Sequence, residues 1–219
     1  LGKTMNAGQI CLAPDYVMVH SDKKDELVAE MKSAVTSFYP DLKHNDDYTS
    51  IINEKHYDRL QGLLQDAKDK GATIDEINPA NEDFSQQEAF KIPPTLVMNP
   101  TDDMEIMKEE IFGPLLPIKE FTDIDETISY VNKNDKPLGL YYFGSNKNEE
   151  EQRNDAERVW RGGSQSGPAS GAVSSIPLST RTPSLSSAEE VVRQTATACN
   201  PLPHSRFNVS AGDDSGTPA

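Results

Sequence analysis

The chain has 219 residues, a formal net charge of −15 at pH 7 and a hydrophobic fraction of 35%. This length allows one large domain or two small ones. The low hydrophobic fraction indicates either that part of the chain is irregular or that it belongs to a larger protein. The negative charge argues against binding to nucleic acid or to an anionic membrane surface, because both repel an acidic chain.

Cysteine content and hydropathy indicate the cellular compartment and whether the chain spans a membrane. Cys11 and Cys199 are too few for a disulfide framework. We therefore expect a reducing compartment, and the cytoplasm is the expected location. No stretch approaches the run of about 18 apolar residues that predicts a membrane span. The first residues also lack the apolar core of a secretory signal.

The first half of the chain predicts a strand followed by two helices. A short apolar run over residues 16–20 predicts a buried strand. Ser21 or Asp22 is expected to cap the first helix, and a second helix is expected over about 53–70 with Gly71 at its C-cap. Apolar residues recur at helical spacing in both helices: Leu27, Val28, Met31, Ala34, Val35 and Phe38 in the first, and Tyr57, Leu60, Leu63, Leu64 and Ala67 in the second.

The next part of the chain continues the alternation. Strands are predicted over residues 95–98, 115–121 and 138–143, with a helix capped by Asp123 between the last two. Strands that alternate with helices indicate an α/β fold, with a mostly parallel sheet flanked by helices. These elements are therefore predicted to form one α/β unit.

The composition changes near residue 160. From Arg161 to Ala219, 24 of 59 residues are Ser, Pro or Gly. Such a stretch buries too little apolar surface to offset its ordering entropy. We expect residues 159–219 to form an irregular, disordered tail.

A loop of small residues presents a thiol just before the first strand. Residues 5–17 read Met-Asn-Ala-Gly-Gln-Ile-Cys-Leu-Ala-Pro-Asp-Tyr-Val. Small residues let backbone approach a ligand closely, and a thiol becomes a strong nucleophile when its surroundings lower its pKa from about 8.5. Cys11 is therefore a candidate nucleophile. The alternative is a buried structural cysteine, which is the common role of a lone free cysteine.

A second segment combines acidic residues with a turn. Residues 109–114 read Glu-Glu-Ile-Phe-Gly-Pro and lead into a predicted strand. On composition alone, a solvated acidic helix end is the default interpretation. The histidines His20, His44, His56 and His204 lack metal-ligand spacing. We interpret all four as surface or incidental residues, and no metal site is expected.

Both segments resemble parts of the aldehyde dehydrogenase family, and the resemblance covers residues 1–158, which implies a partial α/β catalytic domain of that family. The cysteine segment is similar to the catalytic-cysteine segment of the class 3 and coniferyl aldehyde dehydrogenase branch, and Glu-x-Phe-Gly-Pro resembles the family's cofactor motif about a hundred residues later. The resemblance implies NAD- or NADP-dependent oxidation of a coniferyl, aromatic or fatty aldehyde to a carboxylic acid. It implies Cys11 as the nucleophile, Glu110 as an acceptor of hydrogen bonds from the nicotinamide ribose, and Phe112 as a packing group on the nicotinamide side.

The chain also departs from the family pattern. The family's Glu general base, its oxyanion Asn and most of its nucleotide-binding half lie upstream of the cysteine segment. We therefore expect these 219 residues to be a fragment that is inactive without a nucleotide-binding half as partner. The family is usually homo-oligomeric, but it pairs through a C-terminal segment that this chain lacks, which removes the basis for expecting oligomers here.

The tail occupies the sequence positions at which the family has a Leu-Pro-Phe-Gly-Gly segment. One hypothesis is a shifted reading frame, because codons for residues 175–192 can encode a similar segment in an offset frame. The alternative is a natural disordered tail. For the function, the alternative is a non-catalytic acidic remnant that serves as an interaction module. A cysteine hydrolase is disfavoured, because the spacing offers no His base for Cys11.

Overall fold

The computed structural model describes residues 2–135, 137–143 and 190–194. These residues form one six-stranded sheet with helices on both faces, in the strand order β2-β3-β4-β1-β6-β5. The strands are β1 (Tyr16–His20), β2 (Thr73–Glu76), β3 (Thr95–Met98), β4 (Leu115–Phe121), β5 (Gly139–Phe143) and β6 (Glu190–Gln194). The helices are α1 (Lys24–Phe38), α2 (Glu54–Asp69) and α3 (Ile124–Lys133).

The predicted α/β class is confirmed, but the sheet is mixed rather than mostly parallel, because three of its five described strand pairings are antiparallel. β4 pairs in parallel with both β1 and β3. β2 pairs antiparallel with β3, and β6 pairs antiparallel with β1 and β5. The parallel part therefore occupies the middle of the sheet, while antiparallel strands extend it on both sides. A parallel pair needs a long crossover, whereas an antiparallel neighbour does not.

Alternate residues of the strands pack into separate cores on the two faces. Leu96 of β3 and Val17 of β1 pack with Leu27 of α1 in one cluster. Val97 of β3 packs with Leu60 of α2 in another. This alternation follows from the two-residue period of a strand. The sheet is thus covered by α1 on one face and by α2 on the other.

The helix boundaries agree with the expected elements, except at the start of α1. Asp123 accepts from the Asp125 N–H at 2.9 Å and caps α3, as predicted. Gly71 follows α2 with φ +94°, as expected of a C-cap glycine. The predicted Ser or Asp cap of α1 is wrong. A 3₁₀ turn over Ser21–Lys23 precedes the helix, and the His20 ring accepts from the Asp22 N–H.

Two strands were not predicted. β2 has the sequence Thr-Ile-Asp-Glu, which is short and polar. β6 lies inside the segment expected to be irregular, where it pairs with β1 and β5. The remainder of residues 159–219, including Cys199 and His204, lies outside the described residues, as does the boundary expected at residue 158.

Candidate functional site

The cysteine loop has an unusual backbone. It begins with a 3₁₀ turn over Met5–Gly8, in which Asn6, Ala7 and Gly8 all have left-handed φ values of 51°, 50° and 73°. Cys11 follows this turn and is exposed. The alternative of a buried structural cysteine is therefore excluded. The loop delivers the thiol to the surface immediately ahead of β1.

The cysteine loop packs backbone-to-backbone against the Phe-Gly-Pro turn. A Cβ on Gly8 would lie 2.2 Å from the Gly113 carbonyl oxygen. A Cβ on Gly113 would in turn lie 2.6 Å from both methyl groups of Leu60 on α2. No side chain fits at either contact without displacement of its neighbour. The structure therefore brings the two sequence motifs into direct contact, with α2 behind them.

A buried carboxylate adds a second connection between the motifs. Asp15 lies four residues after Cys11 and is 5% exposed. Its Oδ1 accepts a hydrogen bond of 3.0 Å from the N–H of Ile111, the residue that follows Glu110. A bond from a backbone N–H to an ionised carboxylate is among the stronger hydrogen bonds in proteins. The cysteine segment and the Glu110 segment are thus held in register.

The first turns of α2 bind three consecutive carbonyls of the second motif. The Arg59 guanidinium donates to the carbonyl of Glu110 at 3.3 Å and to that of Ile111, and it pairs with the Glu109 carboxylate at 2.8 Å. The His56 Nε2 lies 2.7 Å from the carbonyl oxygen of Phe112. Because carbonyls only accept, His56 donates from Nε2 here. We call these two side chains the α2 clamp.

The α2 clamp corrects the interpretation of His56 as incidental. Its Nδ1 accepts from the Arg59 Nε at 3.3 Å, so both ring nitrogens have partners. Burial lowers the pKa of His56 below its ordinary value of 6.5, and the nearby Arg59 charge acts in the same direction. The neutral ring is therefore the form that the fold favours. His56 and Arg59 are three residues apart on one helix face, and this spacing is the signal that sequence reasoning missed.

Glu110 and Phe112 lie on the clamped segment, as expected from their positions in the motif. Glu110 is half-buried, and burial followed by the charge of Asp15 raises the pKa of its carboxyl group. Arg59 and Lys3 oppose this shift. Phe112 adopts a left-handed φ of 49°, and its ring meets the His56 ring edge-on.

An open pocket of about 340 Å³ lies beside Phe112 and the α2 clamp and is lined mainly by apolar surface; its walls are Ile52, Asn53, Lys55, His56, Arg59 and Phe112. Within residues 2–135, no side chain or N–H donates a hydrogen bond to the Glu110 carboxylate.

Lys3 is a buried cation beneath the cysteine loop. It is 8% exposed, and burial lowers its pKa to about 8 despite the opposing charges of Asp15 and Glu110. Sequence reasoning missed this residue, because an isolated lysine is exposed by default. In the described part of the chain, no cluster of three or more His, Cys, Asp or Glu side chains is placed to hold a metal ion. None of the described helices has the length and apolarity needed to cross a membrane.

Comparison with known proteins identifies the family. Residues 1–161 match the model of the aldehyde dehydrogenase family. The chain is 52% identical over 162 residues to a probable coniferyl aldehyde dehydrogenase of Caulobacter vibrioides, covering 74% of this chain and 33% of the relative. It is 51% identical over 150 residues to the coniferyl aldehyde dehydrogenase of a Pseudomonas species, covering 68% and 31%.

Solved structures agree with the sequence comparison. The substrate-bound AldH of Staphylococcus aureus matches with a TM-score of 0.62 and 37% identity, over 70% of this chain and 32% of that chain. An NADP complex of the NADP-dependent glyceraldehyde-3-phosphate dehydrogenase of Bacillus halodurans matches with a TM-score of 0.60 and 31% identity, over 71% and 31%. The chain spans about a third of the length of these relatives. The chain belongs to the aldehyde dehydrogenase family.

Proposed function

We propose that this chain carries the thiol-bearing part of an NAD- or NADP-dependent aldehyde dehydrogenase. Its proposed substrates are coniferyl aldehyde and related aromatic aldehydes, because the relatives named for coniferyl aldehyde share 52% and 51% of the aligned residues. The observation that carries the proposal is the contact of the Cys11 loop with the Glu110 segment, through Gly8 against Gly113. That contact supports a site in which the thiol-bearing loop and the segment that carries the Glu110 carboxylate serve one ligand.

In the proposed reaction, Cys11 acts as a thiolate. Its sulfur forms a bond to the aldehyde carbon, and the C=O electron pair moves to the oxygen, which gives a thiohemiacetal. Backbone N–H groups near Cys11 and an Asn side chain from the remainder of the enzyme stabilise that oxyanion. Water, activated by a Glu base, then hydrolyses the thioester formed after hydride loss, releasing the carboxylic acid and the thiol.

The residues present fit a dinucleotide cofactor. When bound, the nicotinamide supplies the acceptor for the hydride that leaves the substrate carbon. The Glu110 carboxylate would accept hydrogen bonds from the nicotinamide ribose hydroxyls, and Phe112 would pack on the nicotinamide side next to the adjacent cavity. The α2 clamp and Asp15 hold the backbone that carries both residues, so that neither needs to reorganise on binding.

A chimera tests this proposal. Residues 1–161 would replace the matching third of the Pseudomonas coniferyl aldehyde dehydrogenase, and NADH or NADPH formation with coniferyl aldehyde would be followed. We expect activity in the chimera and its loss with Cys11→Ser. Glu110→Gln is expected to raise the KM for the cofactor more than it lowers kcat. The 219-residue chain alone is expected to form no NADH under the same conditions.

The controls separate the proposal from a non-catalytic role. Gln61→Glu in the chimera changes an exposed residue of α2 and should leave both constants unaltered. Full activity in the Cys11→Ser chimera would contradict the assignment of the nucleophile. A folded, cofactor-binding chimera with no activity in any variant would instead support a remnant that serves as an interaction module.

A further inference from the structure

The side chain of Gln9 connects the cysteine loop to the segment that precedes α2. Its Oε1 accepts from the Ile52 N–H at 2.9 Å, and its Nε2 donates to the Ser50 carbonyl at 3.0 Å and to the Asn6 carbonyl at 3.1 Å. A primary amide offers two donor hydrogens and one acceptor oxygen, and all three are engaged here. Gln9 thus bonds to the backbone of residues 50 and 52, and Ile52 lies 43 positions further along the chain.

The segment that Gln9 binds leads directly into the α2 clamp. Asn53 follows Ile52 and caps α2, because its side chain accepts from the His56 N–H at 2.9 Å. His56 and Arg59 then bind the carbonyls of residues 110–112. A continuous path of hydrogen bonds thus runs from the residue two before Cys11 to the backbone of the second motif.

Gln9 is also fixed from within its own loop. Its backbone N–H donates to the Asn6 carbonyl at 3.0 Å, and its carbonyl accepts from the Asn6 Nδ2 at 3.1 Å. Asn6 is in the left-handed conformation, so this turn holds a backbone that few residues adopt. The Gln9 side chain therefore extends from a hydrogen-bonded turn, and its bonds to residues 50 and 52 fix that turn relative to the start of α2.

We propose that Gln9 is a positioning residue, which fixes the cysteine loop to the start of α2 so that the Cys11 thiol and the 110–112 backbone keep one relative arrangement. This inference rests on the proposed function, because the arrangement matters only if both motifs serve one reaction. Gln9 itself touches neither the thiol nor a reacting atom. Its role is to set the geometry at which Cys11 is presented.

The first experiment measures hydrogen exchange at the Ile52 amide in the full 219-residue chain. The Ile52 residue is 77% exposed, so its N–H would exchange freely without the bond to Gln9. We expect protection in the wild-type chain, and an approximately threefold to tenfold loss of protection in Gln9→Glu at about pH 7.5. The ionised carboxylate would have no proton to donate to the Ser50 and Asn6 carbonyls, and repulsion from these two oxygens would move it away from the Ile52 N–H.

Lowering the pH should restore protection of the Ile52 amide in the same Gln9→Glu variant. At about pH 5 the introduced carboxyl group is expected to be protonated, because two carbonyls favour its neutral form. It then regains a donor, and protection of Ile52 should return. Gln61→Glu, which makes the same change on the exposed face of α2, should show no pH-dependent difference. An unprotected Ile52 amide in the wild-type chain would overturn the proposal, and that measurement needs no variant to fold.

The second experiment follows the thiol. In a Cys199→Ser background, Cys11 would be labelled with a disulfide reagent at about pH 5 and about pH 7.5, and each rate divided by that of the same chain unfolded in urea. Gln9→Glu should change this ratio at the higher pH and restore it at the lower. An unchanged ratio alongside lost Ile52 protection would show a merely structural contact and would refute the positioning role. This readout needs no aldehyde turnover, so its failure is distinguishable from failure of the proposed reaction in the chimera.

Discussion

At the scale of single residues, Gly8 determines whether the two motifs can meet. It combines a left-handed φ of 73° with a contact in which a Cβ would lie 2.2 Å from the Gly113 oxygen. Gly8→Ala therefore introduces both backbone strain and a clash with main-chain atoms. We expect it to lower the free energy of unfolding by about 2–4 kcal/mol, measured by urea unfolding with circular dichroism.

Gly62→Ala is the matched control for that substitution. Gly62 lies within α2, and a Cβ there would meet nothing within 4 Å. Alanine has the higher helix propensity, so this change should raise the free energy of unfolding by about 0.5–1 kcal/mol. Equal destabilisation by both substitutions would show that the close contact at Gly8 does not exist in solution.

Burial of Lys3 makes the free energy of unfolding depend on pH in the alkaline range. Its pKa in the folded protein is about 8, below the ordinary value of 10.5, because burial disfavours the charge. Between these values the unfolded chain binds more protons, so stability rises with pH through this window. Below pH 8 the full penalty of burying the ammonium group is present. The pKa difference corresponds to about 3 kcal/mol across the window.

Lys3→Met tests this dependence. The variant should lack the rise in unfolding free energy between pH 8 and 10.5 that the wild-type chain shows. Lys68→Met, at an exposed position on α2, serves as the control and should retain the rise. Parallel curves for wild type and Lys3→Met would contradict burial of this ammonium group. Groups other than Lys3 also titrate there, so the quantity to compare is the difference between variant and wild type.

At the scale of elements, local patterns predicted most of the strands and helices correctly. The 3.6-residue period of Leu60, Leu63 and Leu64 predicted α2, and all three are buried. β2 could not be found in the same way, since Thr73–Glu76 is short, partly exposed and polar at both ends. It becomes a strand because β3 offers an unpaired edge, which is a tertiary cause.

The candidate site was also predictable only in part, because several of its contacts join segments that are distant in the sequence. Cys11, Glu110 and Phe112 are proposed from the resemblance of two motifs, and the structure shows those motifs in contact through Gly8 and Gly113. The α2 clamp does not, because His56 pairs with a carbonyl 56 positions away. Asp15 likewise meets a backbone N–H 96 positions away. Side chain to backbone contacts between remote segments leave no period in the sequence.

The α2 clamp also yields a prediction. His56→Ala removes the donor to the Phe112 carbonyl and is expected to cost about 1–2 kcal/mol in unfolding free energy at pH 7. The pKa of His56 is lowered in the folded state. Stability should therefore fall as the pH drops below 6.5 towards that lowered value, because the unfolded ring takes up the proton first.

The control for the α2 clamp is His44→Ala, at an exposed position. It should leave the unfolding free energy at pH 7 within about 0.5 kcal/mol of wild type, and it should keep the acid-side decline that His56→Ala loses. An NMR titration would report the pKa of each ring directly. A His56 ring that titrates at or above 6.5 would contradict its burial, which is the main cause of the lowered pKa, whereas the bond to Phe112 acts in the opposite direction.

At the scale of the whole molecule, the mixed sheet joins segments that are distant in the chain. β1 is central, with β4 on one side and β6 on the other. β6 pairs with β1 from residue 190 onwards and also with β5, so it is the only described strand that connects β5 to the rest of the sheet. The carboxyl-terminal segment therefore contributes to the fold that presents the cysteine loop.

Two truncations test that contribution. A chain ending at residue 189 lacks β6, which leaves one edge of β1 unpaired and separates β5 from the sheet. A chain ending at residue 196 keeps β6 and removes only residues 197–219. We expect the shorter chain to unfold at lower urea concentration and to self-associate during sedimentation, because an unpaired strand edge pairs with other chains. The longer chain should behave as the full one does. Indistinguishable unfolding of the two truncations would show that β6 does not stabilise the sheet. In that case β1 would be the edge strand of the folded protein.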